Sequence, residues 1–228
     1  MRPRQLNKRP LSDQVTDILR QRIVSGLLPA GAPLKQEELK DSFGISMGSL
    51  REALRTLHSD GLVTIAPNRG AQVSDLSADE AEDIYDIRLF LEIGALELAL
   101  PGLTAKDLNA AEKILVKMDA AREAAKWSGL NRQFHEALYQ PAGRPRLLSL
   151  IGNLHDNVAR YLSLYLDTMN FQDRSQNEHH QLLEALGQKD VQSARQILRI
   201  HLEAAKASLI SYLKAKDTEA YIHRPSKL

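Results

Sequence analysis

Apolar residues recur at helical spacing near the start of the chain: Leu11, Val15, Ile18, Leu19, Ile23 and Val24 predict a helix over 10–25. Ser12 is placed to cap it. Gly26, Pro29, Gly31 and Pro33 then break the pattern. A short helix is predicted over 36–43, with Gly44 as its stop. Ser46 is placed to cap a third helix over 48–59, whose apolar face is Leu50, Ala53, Leu54 and Leu57. Gly61 ends that helix. Leu62-Val63-Thr64-Ile65 then reads as a strand, Pro67-Asn68-Arg69-Gly70 as a turn, and Ala71-Gln72-Val73 as the returning strand. Helix, helix, turn, helix, hairpin is the order of a winged helix-turn-helix.

From Asp75 onward the pattern changes to long Ala- and Leu-rich segments. Their periodicity predicts about six helices, near 78–100, 104–125, 128–141, 145–169, 173–187 and 190–216. Thr104, Asp173 and Asp190 are candidate caps, and Pro101, Pro141 and Gly143 are breaks. The expected fold is therefore mainly α: an N-terminal winged helix-turn-helix followed by an all-α bundle. The predicted parts are an arm over 1–9, the winged domain over 10–75, the bundle over 76–216 and a loose tail over 217–228.

Composition narrows the chemistry. The 228 residues include no cysteine, which excludes disulfides, thiolate metal sites and a cysteine nucleophile and suits a reducing cytoplasm. No apolar run approaches the ~20 residues of a membrane span, and no apolar stretch follows the basic start as a secretory signal requires. Aromatic residues make up 5%, too few for an all-β reading. The formal net charge of +1 hides a split. Residues 1–75 carry eleven basic and eight acidic side chains, a net of +3, whereas the remainder carries nineteen against twenty-one, a net of −2. Arg2, Arg4, Lys8 and Arg9 stand in the first ten positions with no acid among them. Such an arm suits the phosphate backbone of DNA, although a solvated tail would look the same.

Within the winged domain, the third helix offers its free N-terminus to phosphate. Arg51 and Arg55 lie one turn apart on its polar face, and Arg69 stands beside Gly70 in the wing turn. Ser46, Gly48, Ser49, Arg51, Arg55, Arg69 and Gly70 are thus the candidate DNA contacts. The plain alternative for Arg51 is a surface ion pair with Glu52 or Glu38.

In the bundle, His135, His179 and His201 each fall on an apolar stripe of a different helix. One inward histidine alone is most simply a hydrogen-bonded core residue. Three that converge suggest a metal site, because imidazole is the commonest metal ligand and bundle interiors hold such sites. Asn131 shares the face of His135, four residues earlier. His180 points elsewhere on its helix, and His58, His155 and His223 read as structural or solvated. Arg88 sits among Ile84, Ile87 and Leu91 and wants a partner. Glu92 provides one at i+4, for a few tenths of a kcal/mol on a surface. A ligand carboxylate is the functional alternative.

The stretch from Leu39 to Val63, with its Arg51-Glu52-Ala53-Leu54 core, Gly61-Leu62-Val63 and the wing turn ending at Gly70, resembles the DNA-binding domain of GntR-type bacterial repressors. Phe134-His135, Glu178-His179 and His201-Leu202-Glu203 resemble the ligand-binding (FCD-type) domain of the FadR subgroup. The resemblance covers nearly the whole chain. It implies a cytoplasmic dimer that binds an inverted-repeat operator on double-stranded DNA, and a small carboxylate effector held in the bundle. It also implies a divalent ion (zinc, nickel, manganese or iron) on the three histidines and the Asn131 position, with Arg88 as the effector clamp. Two departures stand out. The family usually has an arginine, a threonine and often a proline where this chain has Met47, Gly48 and Ser49, and often a basic residue at Glu37. A different operator or weaker base discrimination is expected, since a bidentate arginine supplies ~1–3 kcal/mol. The family's metal site also has an aspartate where Asn131 stands, and an amide binds a cation more weakly than a carboxylate. Two other functions fit the histidines: a metal-dependent enzyme acting on a small organic acid, against which no HExxH or other catalytic spacing is present, and a regulator with a purely structural ion.

Overall fold

The computed structural model describes residues 9–66, 70–165 and 171–222. The arm expected over 1–9, apart from Arg9, and Arg69 of the wing turn lie outside them. The chain divides into two compact units, 1–75 and 76–228.

The first unit runs α1 (Leu11–Val24), β1 (Pro33–Leu34), α2 (Gln36–Phe43), α3 (Met47–Ser59), β2 (Val63–Ala66) and β3 (Gly70–Val73). Its antiparallel sheet has the order β1-β3-β2, with Leu34 opposite Ala71 on one side and Ile65 opposite Ala71 on the other. Strand β1 is a correction: Pro33 reads in the sequence as a breaker, yet it sits on an edge strand, where a missing N–H is tolerated. Alternation on β3 buries Ala71 and Val73 and exposes Gly70 and Gln72. These pack with Leu19, Ile23, Leu50 and Leu54 into one core. The buried face of α1 also differs from expectation. Ser12 and Thr16 join Val15, Leu19 and Ile23, whereas Leu11 and Ile18 are exposed. Ser12 is therefore no cap; the Thr16 hydroxyl donates to its carbonyl, and Pro10 precedes the helix without a side-chain cap.

The second unit is a helical bundle: α4 (Ala78–Ala99), α5 (Ala105–Asp119), α6 (Ala124–Tyr139), α7 (Pro145–Tyr165), α8 (Phe171–Gly187) and α9 (Val191–Ile222). Helix α4 packs on α9 and α7, α6 lies between α5 and α7, and α8 packs on α5 and α9. Ser77 and Glu80 close a capping box on α4, and Thr104 and Asp107 close one on α5. Asp190 accepts from the Ser193 amide at the start of α9. Asp173 lies inside the first turn of α8 rather than ahead of it. The α5–α6 break falls at 120–123, earlier than expected, because no Gly or Pro marks it. A tertiary contact helps to fix it: Gln172 donates to the Ala121 carbonyl. Helix α9 continues to Ile222, past the start at Asp217 of the expected tail, because 214–222 holds no Gly or Pro to stop it.

Candidate DNA-contacting face and histidine centre

Helix α3 begins as its sequence dictates. Ser46 adopts extended backbone, and its hydroxyl accepts from the Ser49 amide at 3.1 Å. The two serine hydroxyls also lie 3.0 Å apart. Met47, where the family's arginine would stand, is half-buried and packs against the core. It anchors the helix start, with no charged group to offer a base. Gly48 is exposed. Leu50, Leu54 and Leu57 face inward, which leaves Arg51 and Arg55 exposed one turn apart. Glu38 pairs with Lys35 rather than with Arg51, and among the described residues no ion pair involves Arg51 or Arg55. Gly70 opens β3 at φ +80°, a conformation that disfavours any residue with a Cβ.

The second unit brings its three histidines together. His135 comes from α6, His179 from α8 and His201 from α9, all buried, with one nitrogen of each within 4.8 Å of the others. The His135 and His179 Nε2 atoms are 3.2 Å apart. Hydrogen bonds fix two of the tautomers. Glu92 is ionised and accepts the Tyr139 hydroxyl proton at 2.9 Å. The Tyr139 oxygen must then accept from His135 Nδ1, 3.3 Å away, so His135 Nε2 carries a lone pair and accepts from His179 Nε2 when no ion is bound. The Glu178 carboxylate accepts from His201 Nδ1 at 2.9 Å, which likewise leaves a lone pair on Nε2. His179 Nδ1 and the Asn131 amide oxygen are buried without a hydrogen-bond partner.

This donor set fits a divalent ion. Nitrogens bound to one ion at ~2.0–2.1 Å stand about 2.8–3.4 Å apart between right-angled and tetrahedral geometry, a range that includes the 3.2 Å between His135 and His179. One turn before His135 on α6, the Asn131 amide oxygen is a neutral donor atom with no hydrogen-bond partner.

A second polar cluster adjoins the first. Arg88 donates from Nε to Glu92 at 2.7 Å, and its Nη2 lies 3.0 Å from His155 Nε2. Burial alone would raise the Glu92 carboxyl, but Arg88 and His155 outweigh it and hold the group well below the usual carboxylate range. Burial pushes the His155 imidazole down, with Arg88 adding to the effect, so neutral His155 accepts from Arg88. His155, which reads in the sequence as structural or solvated, is structural and buried, whereas Tyr139 is a member of this cluster that no motif marks. The one local signal was Tyr139 at i+4 from His135. His180 is exposed and pairs with Asp119, away from the three histidines.

Two sequence signatures match the chain. That of bacterial regulatory proteins of the gntR family spans residues 11–73, and that of the FCD domain spans 83–204. The chain belongs to the GntR family. The HTH-type transcriptional regulator McbR of Escherichia coli is 30% identical over 82% of this chain and 87% of McbR. The repressor GlaR of E. coli is 27% identical, over 81% of this chain and 89% of its own. The solved structure of E. coli McbR/YncC superimposes with a TM-score of 0.79, covering 90% of this chain and 99% of that one at 27% identity. This GntR-family protein is thus a transcriptional regulator with an FCD domain, and not an enzyme. Among the described residues, no helix is long and apolar enough to cross a membrane.

Burial predicts a pH dependence for the metal-free regulator. It lowers the pKa of His135, His155 and His179 in the folded state. The unfolded chain, with histidines near 6.5, therefore takes up protons first as the pH falls. Stability is complete above that value and drops below it, by up to about 1.4 kcal/mol per pH unit for each histidine. Thermal melts at about pH 8 and about pH 5.5 should show a clearly lower midpoint in acid. Equal midpoints would mean that the histidines are solvated.

Proposed function

We propose that this GntR-family regulator binds an inverted-repeat operator as a dimer and represses transcription. We further propose that His135, His179, His201 and Asn131 hold a divalent ion, through which the bundle senses a small carboxylate. The observation that carries the metal reading is the convergence of three buried imidazoles, with the buried amide oxygen of Asn131, one turn before His135 on α6, left without a hydrogen-bond partner. A bound ion would present positive charge to an anionic ligand, and a neutral Asn131 offsets less of that charge than a carboxylate would. Trp127 Nε1 and Ser175 Oγ are likewise buried and unpartnered on α6 and α8, and they are polar groups left for a ligand or water. GlaR, a repressor by name, supports repression. Exposed Ile87, Phe90 and Leu98 on α4 support a second copy as partner. To act as a switch, the effector must bind the DNA-competent and DNA-incompetent states with different affinity.

One observation favours a structural ion instead. The cavity beside His135 measures about 20 Å³, room for about one water. A carboxylate that stabilises the metal-loaded protein beyond the metal alone decides for the effector.

DNA selection tests the remainder. Selection from random duplexes should return an inverted repeat, and Arg51→Ala should weaken binding to it about 10- to 100-fold at about 150 mM salt. If Arg51 meets a phosphate, the log–log salt slope falls by roughly 0.9. A selected site without symmetry would refute the dimer, and unchanged affinity would remove Arg51 from the interface.

A further inference from the structure

A guanidinium other than that of Arg88 lines the wall between His135 and solvent. The Arg88 side chain is 4% exposed and already engaged by Glu92 and His155, whereas that of Arg132 on α6 is 39% exposed. Arg132 reaches across to α7, where its Nη1 donates to the buried Asp156 carboxylate. It crosses α7 at Gly152. A Cβ built there would stand 3.0 Å from Arg132 Nη2, closer than side-chain contacts ordinarily come. Glycine inside a helix is unfavourable against alanine, and the missing Cβ leaves the guanidinium its place.

Space lies on both sides of this strap. Outside is an open groove of about 400 Å³ between α6 and α7, edged by Gln140, Arg144 and Asn153. Inside is the cavity of about 20 Å³, faced by His135, Tyr139 and His155. Arg132, Glu136, Leu148 and Gly152 line both. The wall between solvent and His135 is therefore a few side chains thick, and its strap is a long side chain held by one ion pair.

We propose that the α6–α7 groove is the port through which small ligands reach His135 and His155. Arg132 closes this port and is the cation that an entering anion meets at its inner end, past Arg144 on the outer rim. An anion arriving there takes the place of Asp156 at the guanidinium as the strap lifts from Gly152. The inference deepens the effector reading, on which its biological purpose rests. The geometry of the port does not depend on a metal being bound.

The test is the rate at which diethyl pyrocarbonate modifies individual histidines of the metal-free, full-length protein, read by peptide mass spectrometry. Arg132→Ala should raise the rates at His135 and His155 about tenfold or more, because it removes a charge-assisted hydrogen bond that holds the wall shut. Gly152→Ala should raise them by less, because its Cβ displaces the end of the Arg132 side chain by a few tenths of an ångström with no change in charge. Arg144→Ala, at the outer rim, should leave both unchanged. Unaltered rates at His135 and His155 in the first two variants would overturn the proposal. So would an equal rise at His201, which lines neither space and would report general loosening. Failure of the protein to bind any metal would sink the metal reading and leave this result standing.

Discussion

Metal-stripped protein is expected to gain about 2.7 kcal/mol of stability from a divalent ion at roughly 100 times its dissociation constant. For a chain of this size that is a rise of about 5–11 °C in the unfolding midpoint, at roughly 2–4 °C per kcal/mol. His179→Ala should abolish the gain, because His179 and His135 face each other at 3.2 Å and neither can chelate alone. The quantity to compare is the metal-induced increment, since removing a buried imidazole lowers the starting midpoint as well. Asn131→Asp should increase the gain, by exchanging a neutral oxygen for a charged one. Tyr139→Phe should reduce it, because the hydroxyl holds His135 in the tautomer that keeps a lone pair on Nε2. Second partners of this kind typically carry 10- to 100-fold in metal affinity. A full increment in His179→Ala would place any bound ion elsewhere.

Glu92→Ala is expected to be the most destabilising single change in the bundle. Glu92 is completely buried and meets Arg88 and Tyr139 by hydrogen bond, with His155 alongside. Its loss strands a buried guanidinium, and breaking such pairs costs about 3–5 kcal/mol. The midpoint of the helical unit should fall by roughly 6–20 °C on the same scale. The double variant Arg88→Met/Glu92→Leu should lose much less, because apolar pairs of similar volume often replace buried ion pairs at little cost. A loss below about 1 kcal/mol for Glu92→Ala would be the behaviour of an exposed pair. The same i,i+4 spacing thus supports two energies an order of magnitude apart, and burial alone decides between them.

That difference shows where reading the chain stops being sufficient. Period and punctuation determine the local elements. Leu50, Leu54 and Leu57 on one face with Ser46 ahead of them make α3 and leave Arg51 and Arg55 outside. The same logic puts His135, His179 and His201 on inward stripes, because a helix repeats its faces regardless of its neighbours. What the periodicity does not encode is which inward residues meet. His155 and His135 both face inward, from α7 and α6, yet His155 turns to Arg88 and His135 to His179. Strand β1 exists only because β3 lies beside it, and the α5–α6 break is held by Gln172 from α8.

By itself, then, the sequence determined the two-part organisation, the helical faces, the exposed arginines of α3 and the three inward histidines, all consequences of interactions within a few residues. The tertiary structure alone decided that Glu92 is buried, that Tyr139 and Glu178 fix two histidine tautomers, that the Asn131 amide oxygen is left without a hydrogen-bond partner, and that Arg132 lies over Gly152. Each of these depends on the separation of groups on different helices and on the water excluded between them, and neither is set until the helices pack.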